Sequence, residues 1–343
     1  MTILITGNRG YIGPILVEML LAKGYEVVGY DAGYYAGNEL YTTKNEIKQI
    51  TKDVREIKEE DLNGVDVVIH LAGLSTDPLG ELDERLTEEI NFRATIKLAR
   101  LARSAGVKRF VYASSQSMYG VADTDYELDE DAPKNPVTAY ARTKWEAEQE
   151  LGKLDSDDFT VTSFRPSTVF GPSPNLRCDI VFNSLVASAY TTGNIEIKSD
   201  GTPWRPVVHI KDVSRAFIAG IEAPRELVGG QSFNVGIPNG NYTVRELAEA
   251  AQRAVPGSKL KFTGEHGPDS RTYRVSFKKI LSVLKDYYKP EWDLDKGGEE
   301  LIAFFKRVNF TEAQFRGRPA IRLEQIKYLL RGKKLDENLL WRT

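Results

Sequence analysis

The sequence predicts an α/β fold, a doubly wound parallel sheet joined to a smaller α/β domain, and three observations carry that prediction. Apolar runs of strand length alternate with amphipathic helical stretches over roughly the first 170 residues, the pattern of a parallel sheet with helices as crossovers. A glycine-rich turn, GNRGYIG at 7–13, joins the first strand to the first helix. Beyond Gly171 the alternation loosens, with prolines at 172 and 174, so a second unit built from separated stretches is expected.

Ile3, Leu4, Ile5 and Thr6 form the apolar first strand, and Ile12, Ile15, Leu16, Met19 and Leu20 then recur at helical spacing. Gly7, Gly10 and Gly13 occupy the turn between them. Glycine there permits φ > 0, lets backbone approach a phosphate, and lets the helix start hard against the strand. Such a turn suits a dinucleotide, but its spacing is GxxGxxG in place of the GxGxxG of the commonest Rossmann fingerprint, a weak signal alone that the next strand strengthens; the alternative is a structural strand-turn-helix with a surface Asp. The helix stops at Gly24, and YEVVGYD is a second strand ending in Asp31, eighteen residues after Gly13. An acid at that offset accepts hydrogen bonds from ribose hydroxyls and repels a 2′-phosphate, which favours NAD. Arg9, inside the loop, offers a partner to such a phosphate and keeps NADP open.

After a Gly/Tyr/Asn-rich loop, IKQITKDV reads as a strand ending near Asp53. VDVVIHLAGLS, residues 65–75, is an apolar run ending in small residues, as expected of a central strand whose carboxyl end leaves room for a ligand. LTEEINFRATIKLARLARSAG reads as one long amphipathic helix stopped by Gly106, and RFVYASSQSMYG as the next strand and its loop. A helix from about Val137 and the strand VTSFRPSTVFG follow. Further on come a helix in IVFNSLVASAYTTG, short strands around IEIKSDG and RPVVHI, and a helix opened by the capping box of Thr243 and Glu246. VVHIKDVSRAFIAGI and QSFNVG look like sheet parts again. The expected division is a nucleotide-binding domain over 1–171 with 205–236 returning to it, a second domain over 172–204 and 237–295, and a helical C-terminal extension over 296–343.

The chain has 343 residues, 41% of them apolar, and 28% charged with both signs interspersed, which suits a soluble protein with a full core. A net charge of −3 argues against a nucleic-acid-coating surface. RGRPAIRLEQIKYLLRGKK near the C-terminus, the most basic stretch, reads as a solvated helix face. Cys178 is the only cysteine, so no intramolecular disulfide forms. No leading segment resembles a signal peptide and no apolar run approaches the ~20 residues of a membrane span, so the expected location is the cytoplasm. His70, His209 and His266 lie far apart without ligands at metal spacing, so no metal site is expected.

YARTK places Tyr140 and Lys144 four apart, on one helix face. A free phenol has a pKa of about 10 and is a poor base at neutral pH, whereas a neighbouring ammonium and a nicotinium cation favour its phenolate. Ser115 in ASSQSMYG falls at the carboxyl end of a sheet strand, the end at which ligands bind in such sheets. Its hydroxyl can share a substrate oxygen with the tyrosine.

Taken together, TGNRGYIG, HLAG at 70–73, SSQSMYG, YARTK and FRPSTVFGP resemble, in matching order over roughly residues 1–290, the extended short-chain dehydrogenase/reductases, in particular their nucleotide-sugar epimerase/dehydratase group. The resemblance implies a tightly held NAD that takes a hydride from a sugar carbon, usually C4. It makes Tyr140 the acid/base, Lys144 the residue that lowers its pKa and holds the nicotinamide ribose, and Ser115 the residue that orients the 4-oxygen. The implied cofactor residues are Gly7, Arg9, Gly10, Tyr11, Ile12, Gly13, Asp31, Asp53, Val54, Leu71, Ala72 and Gly73, with Tyr140 and Lys144. The implied substrate residues are Ser75, Gln116, Ser117, Thr168, Arg205 and Arg271, the two arginines gripping the diphosphate of a nucleoside-diphosphate sugar. For each arginine the alternative is an ordinary ion pair, with Asp200 or Asp212 for Arg205 and Asp269 for Arg271. A homodimer through two long helices, near 84–105 and 138–154, is also implied, although Leu98, Leu101, Ala102, Trp145, Ala147 and Leu151 could equally cover the parent sheet.

One departure bears on the reaction. In 4,6-dehydratases of the group the residue matching Ser115 is followed by Asp and Glu, where this chain has Gln116 and Ser117. Neither serves as a carboxylate acid/base. The expected reaction is therefore 4-epimerisation through a transient 4-keto-sugar. A 4-keto reductase or dehydrogenase, or a dehydratase using other acids, stands second. A silent NAD-binding protein stands third, and Ser115, Tyr140 and Lys144 argue against it.

Overall fold

The computed structural model of the chain describes residues 1–43, 46–121, 125–264 and 272–342. Its main sheet comprises β1 (Thr2–Thr6), β2 (Glu26–Asp31), β3 (Lys48–Thr51), β4 (Val67–His70), β5 (Arg109–Ala113), β6 (Thr160–Pro166) and, much later in the chain, β10 (Gln231–Val235). These run in the order β10-β6-β5-β4-β1-β2-β3 with every neighbouring pair parallel. A three-stranded sheet joins β7 (Thr168–Phe170), β9 (Trp204–His209) and β11 (Asn241–Thr243), and a two-stranded one joins β8 (Asn194–Ile197) and β12 (Lys259–Phe262).

Both faces of the main sheet are buried, and strand alternation sorts its side chains between two cores. Ile3, Ile5, Val67, Ile69 and Val111 enter the first, with Phe164, Phe217 and Phe233. Leu4, Val68, Phe110 and Tyr112 enter the second. Helix α1 (Gly13–Ala22) and, later, α5 (Ile210–Glu222) cover the first face, whereas α2 (Ala94–Ser104) and α3 (Ala139–Gly152) cover the second. A third core lies around Phe170, Phe182, Leu247 and Phe305, between α4 (Val181–Thr192), α6 (Val244–Ala254) and α7 (Leu294–Arg307).

Three expectations change, and one of two alternatives is favoured. The long helix near 84–105 is interrupted, because an α-turn at Glu84–Thr87 passes into a π-helical segment at Glu88–Arg93 before α2 begins. The extra residue in that turn brings Asn91 against Leu74, whose N–H donates to Asn91 Oδ1 at 2.8 Å. The stretch RPVVHI, placed at the start of the returning segment 205–236, pairs as β9 with β7 and β11, while α5 and β10 carry the return to the main sheet. Of the two alternatives for the apolar helix faces, Leu98, Ala102, Ala147 and Leu151 take the second: they are fully buried within one chain and cover the parent sheet, while Leu101 and Trp145 are only partly buried. The C-terminal region is not one appendage. Leu301, Phe304, Phe305 and Phe310 join the third core, whereas Ile326, Leu329, Leu335 and Leu339 join the second core of the main sheet.

Candidate active site

The carboxyl ends of β1, β2, β4 and β5 open into a cavity of about 510 Å³, of a size that suits a small-molecule or cofactor site. At its floor is the glycine turn. Gly7 has φ +74°, and a Cβ there would stand 2.7 Å from the Ala72 backbone nitrogen; a Cβ on Gly13 would stand 2.5 Å from the Asn8 backbone. Both glycines are therefore required by close packing of the turn against its neighbours. Helix α1 has no side chain capping its N-terminus and no acid in its first turn, so its amide donors and positive dipole end remain available to an anion.

Asp31 ends β2 with both carboxylate oxygens fixed: Gly33 N–H donates to Oδ1 at 2.7 Å and Arg9 N–H to Oδ2 at 3.1 Å. Burial pushes its pKa up, against these two donors. Asp53 accepts from the Arg55 Nε and Nη2 at 2.9 Å each and from the Tyr34 hydroxyl at 2.9 Å. Asp53, Val54, Leu71, Ala72 and Gly73 all line the cavity with Gly7, Gly10, Tyr11, Ile12, Gly13 and Asp31. Arg9 does not line it; its carbonyl accepts from Asn175 Nδ2 at 2.9 Å, its N–H donates to Asp31, and its guanidinium acts on Asp31 from beside it.

Ser115 lies just past β5, and its Oγ caps the following turn by accepting from Ser117 N–H at 3.1 Å. Tyr140 and Lys144 reach the same cavity from α3, which Thr138 caps by accepting from Ala141 N–H at 3.2 Å. Burial pushes the Tyr140 phenol up, while the Ser115 hydroxyl and the Arg177 guanidinium favour its phenolate and Asp77 opposes it. The expected lowering by Lys144 is not among these influences. Burial brings the Lys144 ammonium itself down to about 7.

Thr168, Ser75, Ser117 and Arg205 also line the cavity. Arg205 donates to the Trp204 carbonyl at 2.8 Å. Arg271, with Asp269 and His266, lies outside the described residues. Gln116 is corrected: it is buried and absent from the cavity wall, donating to the Arg165 carbonyl at 2.9 Å and accepting from Ser167 Oγ at 3.1 Å, a pin between β6 and the loop after β5. Sequence reasoning missed several wall residues, among them Tyr34, Tyr35, Arg177, Asp179 and Arg322. Arg177 is paired to Asp179 at 2.8 Å, and the R-x-D spacing was the only local trace of it. Arg322 was hidden in the stretch read as a solvated face; it is only 3% exposed.

His70, from HLAG, ends β4 fully buried between Thr6 Oγ1 at 2.6 Å and Thr95 Oγ1 at 2.8 Å, and burial drives its pKa to about 3. It is a neutral clamp between β1 and β4. Among the described residues no group of His, Cys, Asp and Glu side chains is placed to hold a metal ion, and no helix is long and apolar enough to cross a membrane.

Sequence comparison agrees with this geometry. The NAD dependent epimerase/dehydratase family matches residues 3–236. A UDP-glucose 4-epimerase of Mycolicibacterium smegmatis is 32% identical, over 89% of this chain and 99% of that protein. Among solved structures, MoeE5 in complex with UDP-glucuronic acid and NAD is 27% identical with a TM-score of 0.75, covering 90% of this chain and 99% of that one. TunA, an NAD dependent NDP-hexosamine 5,6-dehydratase, superposes with a TM-score of 0.77 at 24% identity, covering 89% of this chain and 98% of that one, a likeness of fold alone. The chain belongs to the NAD dependent epimerase/dehydratase family, and its cofactor is NAD. The cavity fits that cofactor, with a bare helix N-terminus, glycines where a Cβ would collide, and a fixed carboxylate at the end of β2.

Proposed function

We propose that the protein is a nucleoside-diphosphate-sugar 4-epimerase working through a transient 4-keto-sugar. The observation that carries this reading is the meeting of Ser115, Tyr140 and Lys144 on one cavity wall, with no carboxylate directly following Ser115. When bound, NAD supplies the acceptor for the C4 hydride and then its donor. Tyr140 takes the proton of the sugar's 4-hydroxyl as the C4–H bond breaks and gives it back to the 4-oxygen when the hydride returns to the opposite face. Hydrogens and electrons balance, so no net oxidant is consumed. Ser115 shares the 4-oxygen with Tyr140 and favours the phenolate. Lys144, held on the Ala113 carbonyl at 2.7 Å, is placed toward the nicotinamide ribose. Ser75, Ser117 and Thr168 face the sugar, and Arg205, with Arg271, grips the diphosphate.

The same reading places residues 1–171 apart from β7, together with α5 and β10, in the cofactor domain and the two small sheets in the substrate domain. A homodimer in the cytoplasm completes it. Light scattering on the purified protein tests the dimer.

The deciding experiment incubates the protein with UDP-, GDP-, CDP- and dTDP-sugars in deuterated water. A product of unchanged mass and new retention time, without solvent deuterium on carbon and without added cofactor, supports the proposal. Loss of one water shows a dehydratase; loss of two hydrogens with added NAD(P), or gain of two by a 4-keto-sugar with NAD(P)H, shows a dehydrogenase or reductase.

A further inference from the structure

Arg322 opens the helix α8 (Arg322–Arg331), far in sequence from the glycine turn, yet its side chain lines the cofactor cavity. Its guanidinium lies 4.0 Å over the Tyr35 ring and donates to the Asn175 carbonyl at 2.7 Å. Asn175 in turn donates to the Arg9 carbonyl, inside the glycine turn, at 2.9 Å. Among the described residues no carboxylate is recorded at ion-pair distance from Arg322; two act on it from farther off, Asp179, which is already paired with Arg177, and Asp31. Arg322 is thus a buried cation of the wall with no carboxylate in contact with it. Burial disfavours that charge, but a guanidinium stays protonated at every physiological pH. Such a group is costly to keep unless an anion meets it.

The chain after Arg322 is fastened around the loop that follows Asp31. Gln325 Nε2 donates to the Tyr34 carbonyl at 2.8 Å, the Tyr34 hydroxyl donates to the Leu339 carbonyl at 2.6 Å, and Trp341 Nε1 donates to the Ala32 carbonyl at 2.6 Å. Leu339 accepts this contact in a left-handed conformation, φ 59°, which a leucine adopts only when its surroundings impose it.

We propose that Arg322 is a cofactor-binding residue whose guanidinium takes the diphosphate on the adenosine side of NAD, and that the segment Arg322–Trp341 builds that half of the site. The inference rests on the cavity being the NAD site. A diphosphate could also come from the nucleotide sugar, but Arg322 sits beside the glycine turn and Asp31, and Arg205 stands on the sugar side.

The test uses full-length protein freed of nucleotide, with ADP, NAD and UDP as calorimetric probes. Arg322→Met keeps an unbranched apolar side chain and removes the charge. Its Kd for ADP and NAD is expected to rise about 10- to 100-fold, as for loss of a charged hydrogen bond, with UDP within about twofold. The NAD-induced rise in Tm, taken relative to each protein's own apo Tm, shrinks in the variant. Should Arg322→Met not fold, Arg322→Lys, which keeps the charge but lacks the planar fork, is expected to bind NAD more weakly than the wild type. Unchanged ADP and NAD affinity in a folded variant overturns the assignment, and a loss confined to UDP transfers Arg322 to the substrate. Failure of the wild type to bind ADP or NAD overturns the cofactor site itself, and this inference with it.

Discussion

Lys144 stands one helical turn beyond Tyr140 on α3, and its ammonium donates to the carbonyl of Ala113, the last residue of β5, at 2.7 Å. Lys144 thus ties the helix to the strand end that carries Ser115, and so fixes where the Tyr140 phenol enters the cavity.

Removing the phenolic oxygen separates chemistry from binding. Tyr140→Phe is expected to lower kcat by at least about 10³-fold, the scale of a lost general acid/base, while retaining bound NAD. Single-turnover kinetics with mass analysis of the bound nucleotide checks both; wild-type turnover would sink the mechanism.

Lys144 links stability to pH with a definite sign. Its folded pKa of about 7 lies below the ordinary 10.5, so the stability it contributes is complete above pH 10.5 and is lost as pH falls through about 7, where the ammonium must form in a buried site. Lys144→Met removes that decline in the apo protein, measured by urea titration from pH 7 to 10. The same variant loses turnover and binds NAD more weakly.

His70 behaves alike at lower pH. Its pKa drops from 6.5 to about 3 on folding, so the unfolded chain binds the extra proton and stability falls between those values on acidification, by up to about 1.4 kcal/mol per pH unit. In His70→Asn that component is absent. Subtracting the two stability profiles isolates it, and parallel profiles would show that His70 is not buried neutral.

Asp31 is expected to set the preference between NAD and NADP. With both oxygens fixed by Gly33 and Arg9, the carboxylate cannot turn away from a 2′-phosphate. NADP is expected to bind at least about tenfold more weakly than NAD, by repulsion of like charges. Asp31→Ser narrows the gap, and equal affinities for the wild type would favour Arg9 as a phosphate partner.

Installing the dehydratase carboxylates should fail for a structural reason. Gln116→Asp removes the amide donor from the Arg165 carbonyl and buries a charge, at a cost of at least about 2 kcal/mol. Gln116→Asp with Ser117→Glu is expected to lower Tm without producing a dehydrated sugar; a product lighter by one water would show that position 116 reaches the substrate.

By itself the sequence determined the alternation of parallel strands and helices, the glycine turn before α1, Asp31 at the end of β2, and the pairing of Tyr140 with Lys144, because each is set by spacing along a few turns of chain. Tertiary structure alone decided the rest. Gln116 and Ser117 are neighbours in sequence, yet only packing against Arg165 and Ser167 turns the first away from the cavity that the second lines. The π-helical turn at Asn91 answers to Leu74, which no helical periodicity records. Arg322 has the pattern of an exposed helix residue and becomes a cavity residue because Ile326 and Leu329 dock in the core below the main sheet. Local periodicity encodes which face of an element is apolar, but not which distant surface that face will meet.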